Sequence, residues 1–239
     1  MNDLERLGLK GGLVVSCQAL EHEPLHSPYI MGRMAAAAKE GGAIGIRANT
    51  ATDIKEIKEQ VDLPVIGIVK RNYGTNPVFI TPTMREIDEL AEVQAEVVAL
   101  DATLRPRPDG KTLKEFVGEI RSKYPGLLLM ADISTTAEAV YAEQLGFDLI
   151  SSTLVGYTEE TAGSKLYDHD FAILKDIVSH VKTPVVAEGN IMTPEMAASC
   201  LKAGVYCVVV GGAITRPQQI TERFVSEIAK LKHPESSTK

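Results

Sequence analysis

Residues 64–70 read Pro64-Val-Ile-Gly-Ile-Val-Lys70, an apolar, partly β-branched run that closes on a lysine. Its composition suits a buried strand, and the terminal charge either reaches solvent there or is aimed into a site. Seven similar runs recur along the chain: GLVVSCQ at 12–18, AIGIRA at 43–48, VVALDAT at 97–103, LLLMADI at 127–133, LISSTL at 149–154, PVVAEGN at 184–190 and CVVVGGA at 207–213. Their near-continuous apolar character fits parallel strands covered on both faces.

Amphipathic stretches separate these runs. SPYIMGRMAAAAKEGG follows the first, TDIKEIKEQV the second and MREIDELAEVQAE the third. TLKEFVGEIRSKY, TTAEAVYAEQLGF, DFAILKDIVSHV, TPEMAASCLKAG and QQITERFVSEIAKL complete the set. Thr136 before AEAV and Thr193 before Pro194 are capping signals, and Gly146 and Gly204 are stop signals. Eight β/α units in strict alternation predict an α/β fold, a single closed (β/α)₈ TIM barrel. The first ten residues read as an additional N-terminal helix capping the barrel floor. No linker divides the units, so residues 1–232 form one catalytic domain, followed by a disordered tail at 233–239.

The chain has 239 residues, 44% of them apolar, and a formal net charge of −7. That charge argues against nucleic acid or an anionic membrane surface as partner, while a few local cations could still hold an anionic small substrate. No apolar run is long enough to span a membrane, and MNDLERLGLK lacks a signal core, which predicts the cytoplasm. Cys17, Cys200 and Cys207 have neither CxxC spacing nor an even count and read as reduced structural thiols.

In such a barrel, chemistry belongs at the C-terminal ends of the strands. Those positions carry Gln18, Arg47, Lys70, Asp101 or Thr103, Asp132, Thr153, Glu188 and the Gly211-Gly212 pair. Glycines after strands seven (Gly189-Asn190) and eight let backbone amides approach an oxyanion, at the place where this fold commonly holds phosphate. Arg216 adds a cation just beyond them. His22 and His26 have metal-like spacing, but Pro24 breaks the helix that would align them, so they belong to a mobile loop over the pocket. No metal is expected. The G-x-S-x-G, P-loop and dinucleotide fingerprints are absent, and no cofactor is expected either.

Lys70 and Glu188 are the best acid/base pair, with Arg47 and Asp132 as tuning partners. A lysine acts as a base only when neutral, so its pKa must fall from about 10.4. The set suits proton abstraction beside a carbonyl, which gives an epimer if the proton returns on the other face. It equally suits attack by the lysine to form a Schiff base, as in an aldolase on a sugar phosphate.

The run VVSCQALEHEPL, GGAIGIRANT, LPVIGIVKR, LMADISTTAEA, STLVGYT, PVVAEGNI and VVVGGAITRP resembles the N-acetylmannosamine-6-phosphate 2-epimerase family, from about residue 8 to about residue 230. The resemblance implies a cofactor-independent enzyme of bacterial sialic acid and amino-sugar breakdown. It implies Lys70 as the central acid/base residue, Glu188 as its partner, and Gln18, Arg47 and Asp132 as substrate-binding. Amides near Gly189, Asn190, Gly211 and Gly212, with Arg216, would hold the phosphate. Whether Lys70 takes the proton directly or through a substrate hydroxyl stays open at this level. A homodimer is expected as well.

Overall fold

The computed structural model describes residues 3–231. Eight strands close a ring in chain order: β1 (Leu13–Cys17), β2 (Gly45–Asn49), β3 (Val65–Ile68), β4 (Val97–Asp101), β5 (Leu128–Asp132), β6 (Leu149–Ser151), β7 (Val185–Glu188) and β8 (Cys207–Val210). Every neighbouring pair is parallel, and β8 returns to β1 with Val14 opposite Val209. Helix α1 (Asp3–Arg6) precedes the ring. The outer helices are α2 (Pro28–Glu40), α3 (Ala51–Gln60), α4 (Met84–Glu92), α5 (Leu113–Lys123), α6 (Thr136–Gln144), α7 (Asp168–His180), α8 (Pro194–Lys202) and α9 (Pro217–Lys230).

The period of two along each strand explains how one fold makes both a core and a site. Along β3 and the residue after it, Val65 and Val69 face the helices, while Ile66 and Ile68 belong to the barrel interior with Val14, Val97, Met130, Leu149, Val186 and Val209. The same inward parity, carried to the C-terminal end, falls on Gln18, Arg47, Lys70, Asp132, Thr153, Glu188 and Gly211. Apolar residues therefore plug the lower barrel, and the polar ones crown it.

Three local readings are corrected. The N-terminal helix is only Asp3–Arg6, and Leu4 and Leu9, not a ten-residue helix, close the floor. Gly45 makes room for that plug, since a Cβ there would lie 2.6 Å from Leu9 Cδ2. The run at 149–154 is strand only to Ser151 and then tightens into a 3₁₀ turn at Ser152–Leu154. The cap of α6 is Thr135, whose hydroxyl accepts from the Glu138 amide, and Thr136 is already helical. Gly146 and Gly204 follow their helices with φ of 77° and 98°, a region that favours glycine. The expected disordered tail at 233–239 lies outside the described residues. Among the described residues no helix is long and apolar enough to cross a membrane.

Candidate active site

A cavity of about 1350 Å³ opens at the C-terminal end of the barrel. Gln18, Arg47, Lys70, Glu188, the glycine pairs and Arg216 line it, together with His22 and His26 from the loop after β1. Asp132 does not. It lies fully buried behind Arg47.

Lys70 stands two residues beyond β3, where an isolated antiparallel bridge to Ile80 keeps the chain extended. Its amide donates to Asn49 Oδ1 at 2.8 Å, and the neighbouring Arg71 amide donates to the Phe79 carbonyl at 2.9 Å. The backbone under the lysine is thus pinned from both sides. Burial, then the nearby cations Arg47 and Arg216, push the Lys70 amine down to about 8, against the opposing pull of Glu188 and Asp132.

Arg47 is fully buried within a carboxylate clamp. Its Nη2 donates to Asp132 Oδ2 at 2.5 Å and its Nη1 to Asp132 Oδ1 at 3.1 Å, while Nη1 also meets Glu188 Oε2. Burial alone would lower its proton affinity, but the two carboxylates outweigh that and hold it above its ordinary value. Glu188 is pushed up by burial, with the Asp132 charge adding to the effect, although Arg47 and Lys70 oppose the shift. Thr153 ties the cluster together: its hydroxyl donates to Asp132 Oδ1 at 2.7 Å and reaches Glu188 Oε2 at 3.3 Å. Ser152 holds the Glu188 backbone through both its amide and carbonyl.

Three buried side-chain atoms of the site have no hydrogen-bond partner among the described residues: Gln18 Oε1, Arg47 Nε and Arg216 Nε. Arg216 Nε still meets the Glu23 carboxylate at 3.1 Å; buried polar groups are rarely left unpaired, so Gln18 Oε1 and Arg47 Nε mark where a polar ligand completes the site. At the other rim, Gly189 and Asn190 take φ of 114° and 53°, and Thr215 donates to the Ser16 carbonyl at 2.7 Å, fastening the β8 loop to β1.

The remaining strand-end groups have other duties. Asp101 accepts from Thr103 Oγ1 at 2.7 Å and from Arg105 Nη2 at 2.6 Å, and does not line the cavity. Burial lifts the cysteine thiols to about 12, 11 and 12 at Cys17, Cys200 and Cys207, so they stay protonated. No group of three metal-ligating side chains gathers among the described residues. Sequence reasoning placed Thr153 at a strand end without giving it a role, and missed Asn49 and Asp53; Asp53 lines the cavity from the start of α3 with its carboxyl pushed up to about 6 by burial. Inward parity on β2 was the available signal for Asn49. Asp53 had none.

A family model described as "Putative N-acetylmannosamine-6-phosphate epimerase" matches residues 31–230. A protein of Enterobacter sp. (strain 638) named "Putative N-acetylmannosamine-6-phosphate 2-epimerase" is 63% identical, over 92% of this chain and 94% of its own length. One of the same name from Shouchella clausii is 60% identical, covering 92% and 96%. The solved N-acetylmannosamine-6-phosphate 2-epimerase of Clostridium perfringens is 54% identical, with a TM-score of 0.87 over 93% of this chain and 96% of that one. A thiamine phosphate pyrophosphorylase from Pyrococcus furiosus, 22% identical with a TM-score of 0.58, shares the fold. These likenesses favour epimerisation over the Schiff-base alternative that the lysine alone allowed. With an amine, a carboxylate and a buried guanidinium assembled as they are, and relatives this near, the chain belongs to the N-acetylmannosamine-6-phosphate 2-epimerase family and is a carbohydrate epimerase.

Proposed function

We propose that the chain interconverts N-acetyl-D-mannosamine 6-phosphate and N-acetyl-D-glucosamine 6-phosphate by inverting C2 of the open-chain sugar, without a cofactor. The observation that carries this reading is Lys70: a buried amine with its pKa at about 8, beside Arg47 and across the barrel mouth from Glu188. Ring opening exposes the C1 aldehyde, which makes the C2 proton acidic. Neutral Lys70 takes that proton, the electron pair moves onto O1, and Arg47 meets the oxyanion. β3 and β7 are four strands apart in a ring of eight, so Lys70 and Glu188 approach a bound sugar from opposite sides. A proton returned from the Glu188 carboxyl to C2 completes the inversion, and solvent resets both groups. In the reverse direction the two exchange roles.

Gln18 orients the sugar, and Asp132 holds Arg47 in place. The amides around Gly189, Asn190, Gly211 and Gly212, with Arg216, grip the phosphate; the position of these loops after β7 and β8 supports this assignment. Residues 1–232 act as one catalytic domain in sialic acid and amino-sugar breakdown. A sugar phosphate does not cross membranes unaided, which puts the enzyme in the cytoplasm. The protein works as a homodimer, a reading supported by the bare apolar face of α9 described below.

The test is NMR in D₂O with N-acetylmannosamine 6-phosphate. Formation of the gluco epimer carrying deuterium at C2 is expected, and failure to form that product would remove the assignment. Borohydride trapping no adduct at Lys70 is the matching expectation against Schiff-base chemistry.

A further inference from the structure

The loop between β1 and α2 carries Glu23, a carboxylate that does not line the cavity yet is largely buried, with its side chain 11% exposed. Three donors converge on it. The Leu20 amide donates to Oε2 at 2.6 Å, and Gln218 Nε2, at the start of α9, donates to Oε1 at 3.1 Å. The third is the Arg216 guanidinium, with Nε 3.1 Å from Oε1 and Nη2 3.5 Å from Oε2. The Nε approach is an ion-pair contact rather than an aligned hydrogen bond.

This contact uses one edge of a guanidinium that carries five N–H donors in a planar fork. Nη1 takes no part in it. Arg216 itself lines the cavity. Glu23 therefore holds the arginine from behind and leaves its far edge for an anion in front. A free arginine side chain loses considerable rotamer freedom when it docks on a ligand, and a partner that orders it beforehand removes that loss. The opposing effect is charge: a carboxylate behind the guanidinium repels an incoming phosphate. Repulsion across the full depth of the guanidinium is weaker than the contacts that a fixed fork makes directly.

We propose that Glu23 is a positioning residue that presets Arg216 for the substrate's phosphate. The same carboxylate fastens the loop at residues 20–27, whose His22 and His26 form part of the cavity wall, to the start of α9. Leu20, at the base of that loop, and Gln218, on the far side of the β8 loop, are joined through this one carboxylate. Holding the phosphate arginine therefore also holds the loop down. The inference rests on Arg216 being a phosphate ligand.

The experiment compares Glu23→Gln, Glu23→Asp, Arg216→Met and the Glu23→Gln/Arg216→Met double variant in the full chain. KM and kcat are measured with N-acetylmannosamine 6-phosphate, and Ki with inorganic phosphate as competitor. Glu23→Gln should raise KM and the phosphate Ki together by about tenfold, the worth of one charge-assisted contact, with kcat within about twofold. Glu23→Asp, which keeps the charge, should recover part of the loss and covers the case in which the glutamine variant folds poorly. In the Arg216→Met background, Glu23→Gln should have no further effect on either constant; a general structural role would add a second loss. If Arg216→Met raises KM and Ki while Glu23→Gln leaves them unchanged or lowers them, the positioning role is overturned. Arg216→Met leaving both constants unchanged overturns the phosphate assignment itself, and the role of Glu23 with it.

Discussion

Lys70 sits where an ammonium is costly. Burial and two neighbouring guanidinium groups place its pKa at about 8, against 10.5 for the free side chain. The proposed step needs Lys70 neutral and Glu188 protonated, so the pH–rate profile of kcat/KM should be bell-shaped, with the limb that Lys70 sets lying at about 8. The same shift has a stability consequence. A cationic group with a lowered native pKa holds its proton more weakly when folded, so the unfolded chain binds more protons between pH 8 and 10.5. Stability due to this residue therefore rises with pH across that window and is lowest below it. Lys70→Met should abolish turnover and yet melt higher than the parent at pH 7, by up to about 3 kcal/mol, with the gap closing towards pH 10.5. Thermal denaturation at the two pH values checks this. A variant that melts lower at both would show that the amine is not held under strain.

Arg47 on β2, Asp132 on β5, the 3₁₀ turn after β6 and Glu188 on β7 form one network across the barrel mouth. Removing charge from one side leaves a guanidinium buried without its main partner. Asp132→Asn should destabilise the protein by about 3–5 kcal/mol, read from chemical denaturation. It should also lower kcat, because Arg47 would then drift from the oxyanion. A loss of activity at full stability would instead give Asp132 a direct part in the reaction. β3 offers a second test where strand meets helix. A Cβ on Gly67 would lie 2.9 Å from each of Ala95 Cβ, Ile54 Cδ1 and Leu90 Cδ2. These atoms sit in the packed layer between β3 and helices α3 and α4, and two of the side chains are fully buried. Gly67→Ala should cost about 1–3 kcal/mol by overpacking, with the strand's pairing unchanged.

At the scale of the whole molecule, α9 differs from the other barrel helices because it buries none of its residues. Phe224, Val225, Ile228 and Leu231 lie along one face of it and are between 57% and 81% exposed. Side chains at this spacing share a helix face, and an apolar patch of this kind on a monomer marks an interaction surface. The proposed homodimer would set a second copy of the chain against this stripe, which the described residues leave uncovered. Sedimentation velocity should give a dimer for the parent chain, and Phe224→Asp should shift it to monomer. A monomeric parent would refute the dimer.

The alternation of strands and helices was legible because it rests on short-range patterns. A period of two or 3.6, a threonine cap or a glycine stop is read within about ten residues. The polar crown was legible for a related reason: strand ends in this fold point the same way, and parity places Gln18, Arg47, Lys70 and Glu188 on one side. Tertiary structure decided which of those residues act together. Asp101 and Asp132 look alike along the chain, each ending an apolar strand, yet Asp101 is taken by Thr103 and Arg105 while Asp132 clamps Arg47. The clamp joins residues 85 and 141 positions apart, and the hold of Glu23 on Arg216 spans 193. Ion pairing and burial depend on distance in space, so no local pattern encodes these contacts, and the lowered pKa of Lys70 exists only once the barrel has closed around it.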